Sequence, residues 1–181
     1  MLFTGPIQMY GRTGRAVQVS SSDEVVLSAD VQGATTFQLV ECRARDTVSE
    51  ALRPRCVSMM DANRTDWYVR HRDYYLRVDP EYNTDDRPLF ELDSSFIMHS
   101  DTFYADHYAL ESLNHRNLYI MTHDDGRLAI VQRNNIADYY DAASFRVYDY
   151  NTSSTFFGFV YDTVQICRQF WVTLYPGCFS C

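Results

Sequence analysis

Lysine is absent from this chain of 181 residues. All 16 basic side chains are arginines, and 24 Asp and Glu outnumber them, for a formal charge of −8. Without a basic surplus to neutralise phosphates, a general DNA- or RNA-binding role is excluded, and so is docking on an anionic membrane. No uncharged run is long enough to span a membrane. The start, Met1 to Gly14, has no apolar h-region. Catalytic signatures are missing as well: there is no Gly-x-Ser-x-Gly, His-Glu-x-x-His or phosphate loop. Paired carboxylates such as Asp85-Asp86 and Asp124-Asp125 read as solvated turns, not as a glycosidase pair facing across a cleft. Asp79, Glu81, Asn83 and Asp85 alternate like a calcium loop. Thr84 and Phe90 stand where an EF-hand needs glycine and glutamate, so that motif is rejected. No enzyme activity, metal or cofactor is expected.

What is abundant is aromatic. Tyr, Phe and Trp make up 15% of the chain, which favours strands over helices. Helical periodicity is weak everywhere; the best candidate is Thr47 to Leu52, which Pro54 would stop. Short apolar runs between turn residues mark strands at Gly5–Tyr10, Ala16–Ser20, Glu24–Ser28 and Thr35–Glu41. They recur at Cys56–Met60, Trp67–His71, Tyr74–Val78 and Ser94–His99, and again at Tyr108–Ser112, Leu118–Thr122, Arg127–Val131 and Ser144–Tyr148. That is a threefold repeat of four strands. Val17, Tyr68 and Tyr119 fall about 51 residues apart, as do Val26, Leu76 and Leu128, while Phe37, Phe96 and Phe145 close each unit. Tight polar turns, such as Asp125-Gly126, join each second strand to the third. A propeller of three blades is below the usual number. The expectation is an all-β fold, a β-trefoil over residues 1–150 with repeats at about 5–50, 51–107 and 108–150, followed by a C-terminal extension over 151–181.

Five cysteines are an odd number. Cys42 and Cys56 suit a disulfide closing a short loop between the first and second units, and Cys167 suits one with Cys178 or Cys181. The Cys178-x-x-Cys181 pair lacks the further ligands of a zinc site. Asn63-Arg-Thr65 and Asn151-Thr-Ser153 are N-glycosylation acceptors. Together these lean towards a secreted glycoprotein, and the missing h-region then implies a mature or truncated form.

The second unit reads Trp67-Tyr68-Val69-Arg70-His71-Arg72, Leu76-Arg77-Val78-Asp79-Pro80, Leu89-Phe90 and Asp93-Ser94-Ser95-Phe96. The third opens with Leu110-Glu111-Ser112-Leu113-Asn114. This ordered set resembles the arabinofuranose-binding β-trefoil of α-L-arabinofuranosidases, the AbfB domain of carbohydrate-binding module family 42. The resemblance implies a shallow sugar pocket per repeat, in which His71 and Asp93 bond the hydroxyls and Tyr68 or Tyr82 covers the apolar face. The chemistry is sound without the family: a carboxylate accepts from two adjacent hydroxyls, an imidazole donates or accepts, and a ring stacks on C–H groups. His71 and Asp93 are expected on the second and fourth strands of one unit, meeting at its rim.

The other units depart from the pattern. The first has Ala34 in place of the aspartate and no histidine. In the third the histidine shifts to Met121-Thr122-His123, and Asp141 lies one residue further from Phe145 than Asp93 does from Phe96. At most one pocket is expected to work. The sequence thus points to a non-catalytic, extracellular, lectin-like module with a glycan ligand. The alternative is an assembly protein that joins copies or partners through its aromatic extension, 151–181, the trefoil being degenerate.

Overall fold

The computed structural model describes residues 5–149. Twelve strands dominate it: β1 Pro6–Gly11, β2 Ala16–Val19, β3 Val25–Ser28, β4 Thr36–Glu41, β5 Cys56–Asp61, β6 Trp67–Arg72, β7 Tyr75–Pro80, β8 Phe96–Ser100, β9 Tyr108–Ser112, β10 Leu118–Thr122, β11 Leu128–Gln132 and β12 Phe145–Asp149. Each lies within two residues of its sequence expectation. Two short helices were not anticipated, α1 Arg87–Asp93 and α2 Ala137–Ala142. The helix expected at Thr47–Leu52 does not form. Two 3-10 turns, Arg45–Thr47 and Arg53–Arg55, flank an irregular stretch instead. Val48 there is extended and buried with Cys42, Cys56 and Ile97, and this packing outweighs a weak helical propensity.

All pairings are antiparallel. β1 pairs with β4, β5 with β8 and β9 with β12; between units β4 pairs with β5, β8 with β9 and β12 with β1. These strands therefore close into a ring without a free edge. The rest form hairpins β2–β3, β6–β7 and β10–β11, which touch one another: Ala129 faces Tyr75, and bridges join Glu24 to Arg77 and Val26 to Arg127.

The central core repeats with the units. Phe37, Phe96 and Phe145 are fully buried on β4, β8 and β12. Val17, Val69 and Ile120 join them from β2, β6 and β10, and Val25, Leu76 and Leu128 from the partner strands. Burial of each such side chain contributes about 1.5–3 kcal/mol. Only a void of about 10 Å³ remains among them. Two of the spacings in the sequence were off by one residue. Val69 and Ile120, not Tyr68 and Tyr119, are the partners of Val17, and Val25 replaces Val26. Strand side chains alternate faces, so a slip of one residue moves a side chain to the other side. Tyr68 and Tyr119 are buried too, but in satellite packing outside the central core.

Cys42 and Cys56 form the expected disulfide, with Cα atoms 5.3 Å apart and a separation of 14 positions in sequence. It ties the segment after β4 to the first residue of β5. Closing a loop of that size stabilises the fold by roughly 3 kcal/mol in the chain-entropy account.

Candidate functional site

The site is assembled where β6, α1 and the segment after β9 meet. His71 lies two residues beyond the core residue Val69 on β6, on the same strand face, and is only 4% exposed. Asp93 reaches it from an element the sequence reading missed. Asp86 starts α1 by accepting from the Leu89 amide at 3.0 Å, and Pro88 suits the first turn because its missing N–H is not needed there. Phe90 anchors the helix in the interior, and the Ser94 hydroxyl donates back to the Phe90 carbonyl at 2.8 Å. Asp93 is therefore the last residue of a helix, not a residue of the fourth strand.

His71 Nε2 and Asp93 Oδ1 stand 3.4 Å apart. They are not each other's only partner. Asn114 Nδ2 donates to Asp93 Oδ1 at 2.7 Å, and Asn114 Oδ1 lies 2.9 Å from His71 Nε2. Ser112 Oγ lies 3.2 Å from the same nitrogen and donates to Asn114 Oδ1 at 2.9 Å. Arg70 Nη1 is 4.0 Å from Asp93 Oδ2, while its Nε donates to Asp79 at 2.7 Å. Burial pushes the His71 pKa down. The hydrogen bond with Asn114 and the charge of Asp93 oppose that shift without cancelling it.

A cleft of about 530 Å³ opens on His71 and Asp93. Tyr74, His115, Arg72 and Asp86 are among its other lining residues. Neither ring singled out in the sequence lines it. Tyr68 is 5% exposed, set edge-on to Phe90 at 6.3 Å with the Arg43 guanidinium over its face. Tyr82 is exposed on the turn Glu81–Asn83, next in sequence to the lining residue Asn83. The tyrosine at the cleft is Tyr74. It occupies the two-residue turn between β6 and β7 with Asp73, and both have positive φ, 51° at Asp73 and 70° at Tyr74. Two consecutive positive φ values suit the twist of a tight hairpin but are uncommon for tyrosine. The Tyr74 carbonyl accepts from the Ile130 amide at 2.8 Å, which holds the turn, and its ring lies 5.9 Å from that of His115. The sequence expectation put Tyr74 at the head of a strand, Tyr74–Val78, whereas the strand begins at Tyr75 and Tyr74 belongs to the turn. For Asn114 the sequence signal was the opening motif of the third unit.

The first unit has a cleft of similar size, about 550 Å³, lined by Asp23, Thr35, Asp61, Asn63 and Arg64 among others. Val19, two residues beyond Val17, stands where His71 stands in the second unit; Ala34, three before Phe37, stands where Asp93 does. Arg64 spans the opening instead, donating to Asp23 at 2.6 Å and to the buried Asp61 at 2.7 Å. In the third unit His123 turns to Asp125 at 3.6 Å and Asp141 bonds Arg12 at 3.0 Å, so the two do not meet. Within the segment that alternates like a calcium loop, Asp79 faces Arg70, and Glu81 faces Arg43 and Arg87. Asn63 is exposed at the first-unit cleft. Asn151, Cys167, Cys178, Cys181 and the aromatic extension lie outside the described residues.

No helix among the described residues is long and apolar enough to cross a membrane. No curated protein matches the chain significantly. Solved structures do. A GH54 α-L-arabinofuranosidase soaked with a cyclic sulfate inhibitor is 15% identical, with a TM-score of 0.62 over 80% of this chain and 31% of its own. An arabinofuranosidase complexed with arabinofuranosyl-alpha-1,2-xylobiose is 16% identical with the same TM-score and coverage. A mosquitocidal holotoxin, 8% identical with a TM-score of 0.56, matches over 82% of this chain and 18% of its own. This chain thus spans about a third of the arabinofuranosidases it resembles, and at such identity the likeness is one of fold. The family described as the alpha-L-arabinofuranosidase B (ABFB) domain matches residues 7–147, with the His71–Asp93 site inside the match, and the chain belongs to that family.

Proposed function

We propose that this chain is a non-catalytic, extracellular carbohydrate-binding module. Its three units make a β-trefoil domain over residues 1–150, with 151–181 as an extension. It holds one glycan, an arabinofuranosyl side group foremost, in the cleft of the second unit. The observation that carries this reading is the convergence of His71 and Asp93 at the foot of an open polar cleft. Asp93 accepts from adjacent sugar hydroxyls, His71 bonds a further one, and Tyr74 covers the apolar face of the ring, the role first given to Tyr68 or Tyr82. The membership of the family and the arabinofuranosyl ligand named for one structural relative support the choice of sugar. The Cys42–Cys56 disulfide supports an oxidising, extracellular setting, in which Asn63 and Asn151 are available for glycosylation.

The test is a glycan array and affinity electrophoresis on arabinoxylan, with the wild-type chain beside His71→Ala. Retention by arabinofuranosyl glycans, lost in the variant, is the expected result. A folded wild-type chain that binds no glycan would overturn the reading and bring forward self-association through 151–181.

A further inference from the structure

Asn114 belongs to the third unit and stands behind the cleft, yet it touches both groups that face the ligand. Its orientation follows from charge. Ionised Asp93 only accepts, so the Asn114 atom 2.7 Å from Asp93 Oδ1 is the amide nitrogen, and Oδ1 of the amide faces His71. Ser112 uses its hydroxyl proton on Asn114 Oδ1, and its oxygen accepts from the His115 amide at 3.3 Å. His71 Nε2 therefore meets acceptors alone: Asn114 Oδ1 at 2.9 Å, Ser112 Oγ at 3.2 Å and Asp93 Oδ1 at 3.4 Å. That nitrogen must carry the proton, and in the neutral ring Nδ1 is then an acceptor.

We infer that Asn114 is a positioning residue that sets the donor–acceptor polarity of the second-unit cleft, so that His71 Nδ1 and the Asp93 carboxylate both present acceptors and the cleft selects a neutral vicinal diol. This deepens the carbohydrate-binding reading and rests on it for the ligand. A carboxylate set against these two acceptors receives no donor from either, so a sugar bearing one there is disfavoured against a neutral diol, even with Arg70 and Arg72 at the cleft. The titratable and charged side chains around His71 are Asp93 on α1, His115 after β9, and Arg70 and Arg72 on its own strand. Burial disfavours the imidazolium and so keeps the ring neutral.

The first arm measures the free wild-type protein at pH 7 by 15N NMR of the imidazole rings. The expected signature is His71 protonated on Nε2 and bare on Nδ1. An Nδ1–H tautomer or an imidazolium would overturn the inference without any ligand. The second arm titrates an arabinofuranosyl oligosaccharide and a glucuronic-acid-bearing one into the wild type, Asn114→Ala and Asn114→Asp, with folding checked by amide spectra. The expected outcome is about a tenfold or greater loss of arabinofuranosyl binding in both variants, with a mixed His71 tautomer in the alanine variant and an imidazolium in the aspartate variant. A folded Asn114→Ala that keeps the wild-type tautomer and affinity would overturn it. A wild type with the expected tautomer that binds neither sugar would overturn the proposed ligand and leave the polarity assigned to Asn114 supported.

Discussion

The clefts of the first and second units have nearly equal volumes, about 550 and 530 Å³, and opposite chemistry. Both are framed by the turn of a hairpin, the segment before the fourth strand and the segment after the next unit's first strand. In the second unit the frame holds His71 and Asp93 at the open space, with Asn114 behind them. In the first, Val19 and Ala34 replace the histidine and the aspartate, and Arg64 closes on Asp23 and Asp61. Even the asparagine persists as Asn63, two residues after Asp61 as Asn114 is two after Ser112. The fold makes the cavity and the side chains decide whether its polar groups are left for a ligand or satisfy one another.

The largest effect expected from breaking this contrast is at Asp93. Asp93→Ala should weaken binding of an arabinofuranosyl oligosaccharide by about a hundredfold, since it removes a charged acceptor and frees Asn114. Asp93→Asn, which keeps the shape and loses the charge, should cost less. Calorimetric titration checks both, and a change under threefold in either would separate Asp93 from the site.

The mirror-image change, Asp61→Ala, should spare glycan binding and cost about 2 kcal/mol of stability. It leaves Arg64 and the Asn63 amide without their buried acceptor, while Asp23 and solvent still serve a third-exposed guanidinium. Denaturant unfolding measures the loss, and weakened glycan binding would show that the first cleft holds ligand after all.

Acid should sharpen the comparison further, because the first cleft has no histidine. The His71 pKa is depressed below its ordinary 6.5, mainly by burial, so between the two values the unfolded chain binds more protons than the folded one. This contribution to stability is complete above pH 6.5 and is lost as the pH falls from there through the depressed folded value. Glycan affinity should fall at lower pH than stability does, as the pH passes through the depressed folded value and Nδ1 ceases to accept. Buried Glu111 acts in a separate one. Burial alone would raise its pKa, but hydrogen bonds from His99, Arg116 and the Asn117 amide outweigh that and hold it at about 2. Its contribution is present above its ordinary 4.5 and disappears as the pH falls towards 2. Melting temperatures from pH 7.5 to 5 should slope downward in the wild type and flatten in His71→Gln; equal slopes would assign the acid sensitivity elsewhere.

The smallest effect is expected at the turn. Tyr74→Asn relieves a left-handed tyrosine, a conformation asparagine tolerates, and should raise stability by about 1 kcal/mol while weakening glycan binding. A gain in stability with unchanged affinity would remove Tyr74 from the ligand's path.

The strands of the chain were legible because each is a short apolar run closed by turn residues, and Phe37, Phe96 and Phe145 marked the period of the repeat correctly. His71 and Asp93 were legible as a pair through the motifs of one unit, and Cys42–Cys56 through a spacing that suits a short loop. The helix α1 was not. Seven residues show too little periodicity, although Asp86 and Pro88 were a cap and a first turn in waiting. The register of Tyr68 escaped for a related reason: adjacent aromatic and aliphatic residues offer two phases for one strand, and only packing chooses the face.

By itself, then, the sequence determined the all-β class, the threefold repeat and the residue types available for binding, because these follow from local patterning and composition. Only the tertiary structure decided which side chains share a cleft. Asn114 joins His71 and Asp93 from a different unit, Tyr74 lines the cleft where Tyr68 and Tyr82 do not, and Arg64 closes the first cleft. Each depends on contacts between segments far apart in the chain, whose directions are set by packing around the shared core and leave no local trace in the sequence.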